Sequence, residues 1–420
     1  MSSVAPATGG ITTNVDKVPG GGGPKVPNGR FSINLRQSGI YIAFAVIILV
    51  FAVATDGALL DRQNISNIII QNSYILVLAI GMILIIIAGH IDLSVGSVVA
   101  ATGALAAVLT VNMDVPWPLA IIITLVAGAA IGAWQGYWVA YFGIPAFIVT
   151  LAGMLLFRAL SMKVLNNQGV GPFPAEIQTI ANGFTPGWLG NIALGPLGGA
   201  DLITLIIGVV ACAGMVIAQY RTRLARLGYQ QAVEPIAVFV LRNVLAIAVI
   251  MTIVVQLARF NNLPWVLVLL AALVLIYTLV ANRTVFGRHV YAIGGNLQAA
   301  SLSGVKVKKV TFWLFVNMGV LAAVAGIIFA GRLTIATPTA GNQFELDAIA
   351  AAFIGGAAVQ GGVGKVVGAI TGGLIMATIN NGMSLLGAEP SEVLLVKGGV
   401  LLGAVAFDVW AKRRAGTAAR

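Results

Sequence analysis

The chain has 420 residues, of which 59% are hydrophobic and only 9% charged, with a net charge of +11. A soluble domain carries roughly 25% charged residues, so this composition excludes a chain of soluble domains and points to membrane-spanning helices. The basic residues lie in short segments between apolar runs rather than in one patch, which excludes a nucleic-acid surface.

Residues 1–38 are rich in Gly, Pro and Ser, with GGGGP at 20–24, and read as a disordered cytoplasmic tail. The tail is too long and polar for the n-region of a cleaved signal peptide, so the apolar run near 39–55 is expected to be a retained anchor. A span needs about 20 apolar residues. Further runs lie near 68–88, 92–112, 118–140, 146–164, 202–219, 243–260, 265–281, 311–333, 347–360, 365–386 and 392–410. The expected fold is an all-α polytopic transmembrane helix bundle over 39–410 with about 12 spans, or ten if 243–260 and 347–360 do not cross. Gly128 and Gly132 form a GxxxG pair suited to close helix packing. The single cysteine, Cys212, reads as a small core residue.

Charge sets the orientation. With the N-terminus inside, the inner segments are 1–38, 220–242, 282–310, the turn before Lys365 and the tail 411–420, and they hold eighteen of the 24 Lys and Arg. The opposite orientation would place only Arg62, Lys163, Arg259 and Arg332 near the inner side. The positive-inside rule therefore makes both termini cytoplasmic. The longest outer loop is 166–201, and Asp56, Asp61, Asp114, Glu345 and Glu392 are among the acids expected near the outer face.

Two broken-helix regions interrupt the pattern, one in each half: 89–94, and 341–347 followed by the glycine pairs at 355–356 and 361–362. Such paired interruptions point to a transport pathway, because irregular backbone at membrane depth survives only inside protein or beside water. Asp92 and Ser94 have the positions of helix caps, with a substrate or proton role as the alternative for Asp92. His90 at a tight turn suggests a structural hydrogen bond, with a proton carrier as the alternative. Gln71, Asn72, Glu345, Asp347, Asn380 and Asn381 complete the candidate path with these three residues. Lys397 is expected to snorkel or to pair with Glu392, and Asp408 with Lys412. GGVGK at 361–365 lacks the P-loop spacing, and two histidines with one cysteine offer no metal cluster, so no bound cofactor is expected. In 282–310, Gly295 and Asn296 form a turn and cap before a short helix from Leu297 to Leu302, stopped by Gly304, which suits docking to a cytoplasmic partner.

The strings GHIDLSVGS (89–97), IPAFIVTLAGML (144–155), FGRHVYAIGGN (286–296), QAASLSG (298–304), ELDAIAAAFIGGAA (345–358), GGVGKVVGAITGGLIMATINNGMSLL (361–386) and VKGGVLLGAVAFDV (396–409) resemble the permease subunits of bacterial ABC monosaccharide importers. His90, the insertion at 220–242 and INNGMSLL are most similar to the xylose-type branch. The resemblance implies two permease copies, cytoplasmic ABC ATPase subunits that bind ATP and magnesium, and an extracytoplasmic sugar-binding protein. It places QAASLSG at the family's EAAxxxG coupling motif, with Ala299, Ala300 and Gly304 matching; Gln298 replaces the usual Glu, so a hydrogen bond would stand in for a salt bridge to the ATPase. Lys365 stands where the resemblance expects a smaller residue. A secondary sugar transporter driven by ions is the competing reading, resting on Asp92 and His90. A membrane enzyme acting on lipid-linked sugars would need acids clustered at the inner face, which offers almost none.

Overall fold

The computed structural model describes residues 35–193, 199–229, 231 and 233–417. The expected anchor is α1 (Leu35–Ala54), and the run near 68–88 is a pair of helices, α2 (Arg62–Gln71) and α3 (Ser73–Ile87), bent by 46° at Asn72. Next come α4 (Val95–Ala107), which ends in a π-helical turn, α5 (Trp117–Ala140) and α6 (Ala146–Val164). The connection between α6 and α8, expected to be an outer loop, carries α7 (Ala175–Asn182) and a small antiparallel hairpin, β1 (Asn191–Ala193) with β2 (Gly199–Asp201). Then follow α8 (Leu202–Gly228), α9 (Ile236–Ala258), α10 (Trp265–Arg283), α11 (Val285–Gly295), α12 (Leu297–Leu302) and α13 (Val307–Leu333). The chain closes with α14 (Phe344–Ile354), α15 (Val366–Leu385) and α16 (Pro390–Thr417).

Among the described residues, eight helices are long and apolar enough to cross a membrane, or nine with the bent pair counted as one span. Prolines set many of the starts. Pro116, Pro145, Pro174, Pro235 and Pro264 immediately precede α5, α6, α7, α9 and α10, where a fixed φ and a missing N–H cost nothing. At α8 the Asp201 carboxylate accepts from the backbone N–H and hydroxyl of Thr204, at 2.8 and 2.7 Å.

Two expectations change. The run 347–360 is not a full-length helical span: α14 has 11 residues, about 16 Å at the helical rise of 1.5 Å per residue, half of the ~30 Å core, and the irregular segment before it covers the rest. The chain then turns at 355–365 and α15 leads away. The inner segment 220–242, expected as an insertion between spans, is mostly helix: Arg221, Arg223 and Arg226 extend α8, Arg242 lies in α9, which begins at Ile236, and only a short connection separates the two. The tip is tied by an Arg242–Glu234 ion pair at 2.9 Å.

All fifteen residues of α3 are buried, and α10, α13, α14 and α15 pack around it. The most extensive helix pairing among the described residues is that of α5 with α13. A Cβ on Gly128 would collide with the Gly319 carbonyl oxygen, and one on Gly319 with that of Gly128. The expected GxxxG packing is therefore internal to the subunit. Cys212 is buried as expected.

Candidate functional site

The two breaks face each other at the centre of the bundle. In the first, the Asp92 Oδ1 accepts from the Ser94 N–H at 2.8 Å and from the Ser94 hydroxyl at 2.6 Å. Gln135 Nε2 of α5 donates to the same hydroxyl at 2.7 Å. Asp92 and Ser94 are both buried, so the carboxylate is spent on its own turn. It differs from the expected cap in detail: Asp92 closes a turn two residues ahead and bonds no amide inside α4. His90 corrects its expectation outright. It makes no side-chain hydrogen bond among the described residues; its ring lies 6.1 Å from that of Phe315.

The second break is a segment, 334–343, that leaves the end of α13 and turns back toward α4. Its first part is held to the α6–α7 connection by a Val170–Ala336 bridge and a Phe173 N–H bond to the Thr334 carbonyl at 3.1 Å. Arg158 of α6 donates to the carbonyls of Pro338 and Ala340. Gly96, one residue into α4, meets Gly341 so closely that a Cβ there would collide with the Gly341 carbonyl and the Glu345 carboxylate. Glu345, expected near the outer face, thus reaches the start of α4, because the re-entrant segment carries it inward.

A buried polar group braces α14 from behind. Lys397 of α16 lies 2.9 Å from Asp347 Oδ1 and 3.1 Å from Oδ2; its expected partner, Glu392, instead accepts from the Glu389 N–H. Asn380 Nδ2 of α15 donates to Asn72 Oδ1 at 3.3 Å. Asn381 and Asn64 exchange two hydrogen bonds, at 2.8 and 2.9 Å, and are both buried. Asn72, Asp347 and Asn380 therefore belong to interhelical contacts, Asn381 to a closed pair, and Gln71 makes no side-chain hydrogen bond among the described residues. The Asp408–Lys412 expectation falls outside the described side chains. Asn64 and the clamping role of Arg158 had no reading in the sequence, although a lone arginine in an apolar helix is itself a signal.

After α10 the expected short helix α12 forms, preceded by a helix, α11, that had no reading in the sequence. The Thr284 hydroxyl accepts from the Gly287 N–H at 3.1 Å and starts α11; Asn296 Oδ1 accepts from the Ala299 N–H at 2.9 Å and caps α12. Gly304, at φ 85°, turns the chain into α13. Gly295, Asn296, Gln298 and Ala299 are exposed, and Leu302 is 89% exposed. Ala300 is the exception: it is buried against its own chain, so it cannot touch a partner.

This segment abuts both breaks. A Cβ on Gly294 would collide with the Ile87 carbonyl at the end of α3, and that same oxygen accepts from the Gly362 N–H at 2.8 Å. The Tyr291 hydroxyl donates to the Gly364 carbonyl at 2.8 Å, and burial raises its phenol above its ordinary pKa. The string GGVGK is thus structural: the Gly361 and Gly362 N–H groups are bonded to Ala358 and Ile87, not free to cradle phosphate. Among the described residues no three His, Cys, Asp or Glu side chains could hold a metal ion.

Residues 64–405 match the family described as the branched-chain amino acid transport system / permease component, and the chain belongs to that family of transport permeases. It is 40% identical over 383 residues to the xylose transport system permease protein of Haemophilus influenzae, covering 91% of this chain and 98% of that one. The Escherichia coli protein of the same name is 40% identical over 389 residues, covering 92% and 95%. The Escherichia coli ribose import permease protein is 34% identical over 365 residues, covering 87% and 91%. No solved structure matches. The chain is accordingly a permease subunit of an ABC sugar importer, a multi-pass protein of the cytoplasmic membrane, and a transport subunit rather than an enzyme.

Proposed function

We propose that this subunit carries xylose or a related pentose into the cell as one of two identical permease copies. The reading includes twelve membrane segments, α14 among them as a half-crossing, with both termini cytoplasmic. An extracytoplasmic binding protein delivers the sugar, and ATP and magnesium belong to cytoplasmic ATPase subunits. Gly295, Asn296, Gln298 and Ala299, with the exposed Leu302, form the surface that seats on the ATPase. The sugar passes beside the meeting of the breaks, where Glu345 offers an acceptor and Arg158 donors.

One observation carries this reading: the Gly294–Ile87–Gly362 contact joins the exposed α11–α12 segment to the end of α3 and to the turn between α14 and α15. A push on α12 is thereby delivered to the elements that lead into both breaks, with no soluble domain needed between. Movement is transmitted because such close backbone contacts leave no slack to absorb it.

The cargo is tested by uptake of labelled xylose in a strain deleted for its other xylose transporters, with the whole importer expressed. Xylose should accumulate, and excess leucine should not compete. Competition by leucine, or uptake of leucine in place of xylose, would overturn the sugar assignment.

A further inference from the structure

An apolar cavity of about 310 Å³ lies between α1, α14, α15 and α16. Ile40 and Ala43 of α1, Phe353 and Ile354 of α14, Ile375 of α15 and Ala404 of α16 are among the residues that line it. Among the described residues, no lining side chain bears a polar atom. An enclosed apolar cavity of roughly 150 Å³ stays free of water because water finds no partners in it, and this recess, open on one side, offers water no side-chain partner either. An empty void would forfeit the dispersion contacts that close-packed interiors make. The occupant is therefore itself apolar.

Its depth and surroundings narrow the choice. Ile40 and Ala43 lie in the first turns of α1, Phe353 and Ile354 end α14, and Ile375 lies halfway along α15. The cavity thus runs from the end of the bundle that holds the basic segments to its middle. The neighbouring faces of α1 and α16 are apolar and open: Ile42 is 63%, Leu395 77% and Leu402 71% exposed. Hydrocarbon is in contact with those faces, and a chain entering between α1 and α16 reaches the cavity without crossing a polar group.

We propose that this cavity holds one acyl chain of a phospholipid from the leaflet on the side of the basic segments. The site has a mechanical consequence. Phe353 and Gly356 line it and lead α14 into the turn that bonds Ile87 through Gly362. A chain seated there braces the inner end of the half-crossing from behind, on the side away from α4.

The test uses the assembled importer in nanodiscs of phosphatidylethanolamine and phosphatidylglycerol, doped with a phosphatidylcholine whose acyl chain carries a diazirine. After illumination, peptide mapping should place label on Ile40, Ala43 and Ala404 as well as on the open faces. Ala404→Phe, which fills the cavity, should lose the label from Ile40 and Ala43, whereas Leu402→Phe, on the open face, should keep it. Label confined to Ile42, Leu395 and Leu402 in the wild type would overturn the proposal, and that map decides the matter even if Ala404→Phe fails to fold. Cross-links from Ala43 to a second permease copy would also overturn it, by showing a helix where the chain is placed.

Discussion

Removing the ammonium of Lys397 should destabilise the bundle more than any surface charge change. In the structure Lys397 Nζ contacts both oxygens of Asp347, at 2.9 and 3.1 Å, and the side chains are only 19% and 5% exposed. At 2.9 Å two unit charges attract by roughly 6 kcal/mol at an effective dielectric of 20. Desolvation of both groups offsets much of that, so the intact pair adds little net stability. Lys397→Met is different, because it leaves Asp347 buried without its cation, a change that costs about 3–5 kcal/mol. The double variant Asp347→Asn with Lys397→Met removes both charges and should recover most of the loss. The assay is SDS-induced unfolding in mixed micelles, followed by far-ultraviolet circular dichroism, for the wild type, both single variants and the double variant. A Lys397→Met protein as stable as the wild type, or a double variant worse than both singles, would refute the assignment of this pair as the brace of α14.

Asp92→Asn should fold and keep most of its transport, because an amide oxygen can accept the same two bonds from Ser94, whereas Asp92→Ala should lose about 1–3 kcal/mol of stability. A normally expressed Asp92→Asn protein with no transport, scored by sugar uptake in cells, would instead restore the proton-carrying role. For orientation, Tyr229→Cys and Gln298→Cys in a Cys212→Ala background should resist an impermeant thiol reagent in intact cells, while Trp188→Cys in the outer loop should react; labelling at 229 or 298 would reverse the topology.

Much of the fold was legible because the bilayer demands long apolar runs, and glycine, proline and charge mark where those runs end. The helix α12 was legible for a similar reason: Asn296 and Gly304 are local signals, one acting three residues ahead and the other on its own backbone, whereas α11 and its Thr284 cap had no reading in the sequence. The half-crossing α14 was hidden because Ala357 and Ala358, in the turn, extend its apolar run past its true end. The partner of Lys397 was missed since Asp347 lies fifty residues away in sequence, while Glu392 was near and equally acidic. The bend at Asn72 left no mark beyond the polar run Gln71-Asn72-Ser73 in an apolar stretch. The inward face of Ala300 could not be read from a six-residue helix whose partner, α13, is fixed only by tertiary packing. The meeting of Gly96 with Gly341 joins segments from opposite halves of the chain, and no local pattern encodes such a contact.

The central claim is that an ATPase drives this permease through α12. Proteoliposomes containing the assembled importer, with ATP on the ATPase side, its binding protein outside and ion gradients collapsed by ionophores, measure it directly. The wild type should take up xylose and show sugar-stimulated ATP hydrolysis, and Leu302→Glu, at an 89% exposed position, should abolish both while remaining folded. Uptake that vanishes with the ion gradients, or a Leu302→Glu complex that hydrolyses and transports like the wild type, would contradict the account.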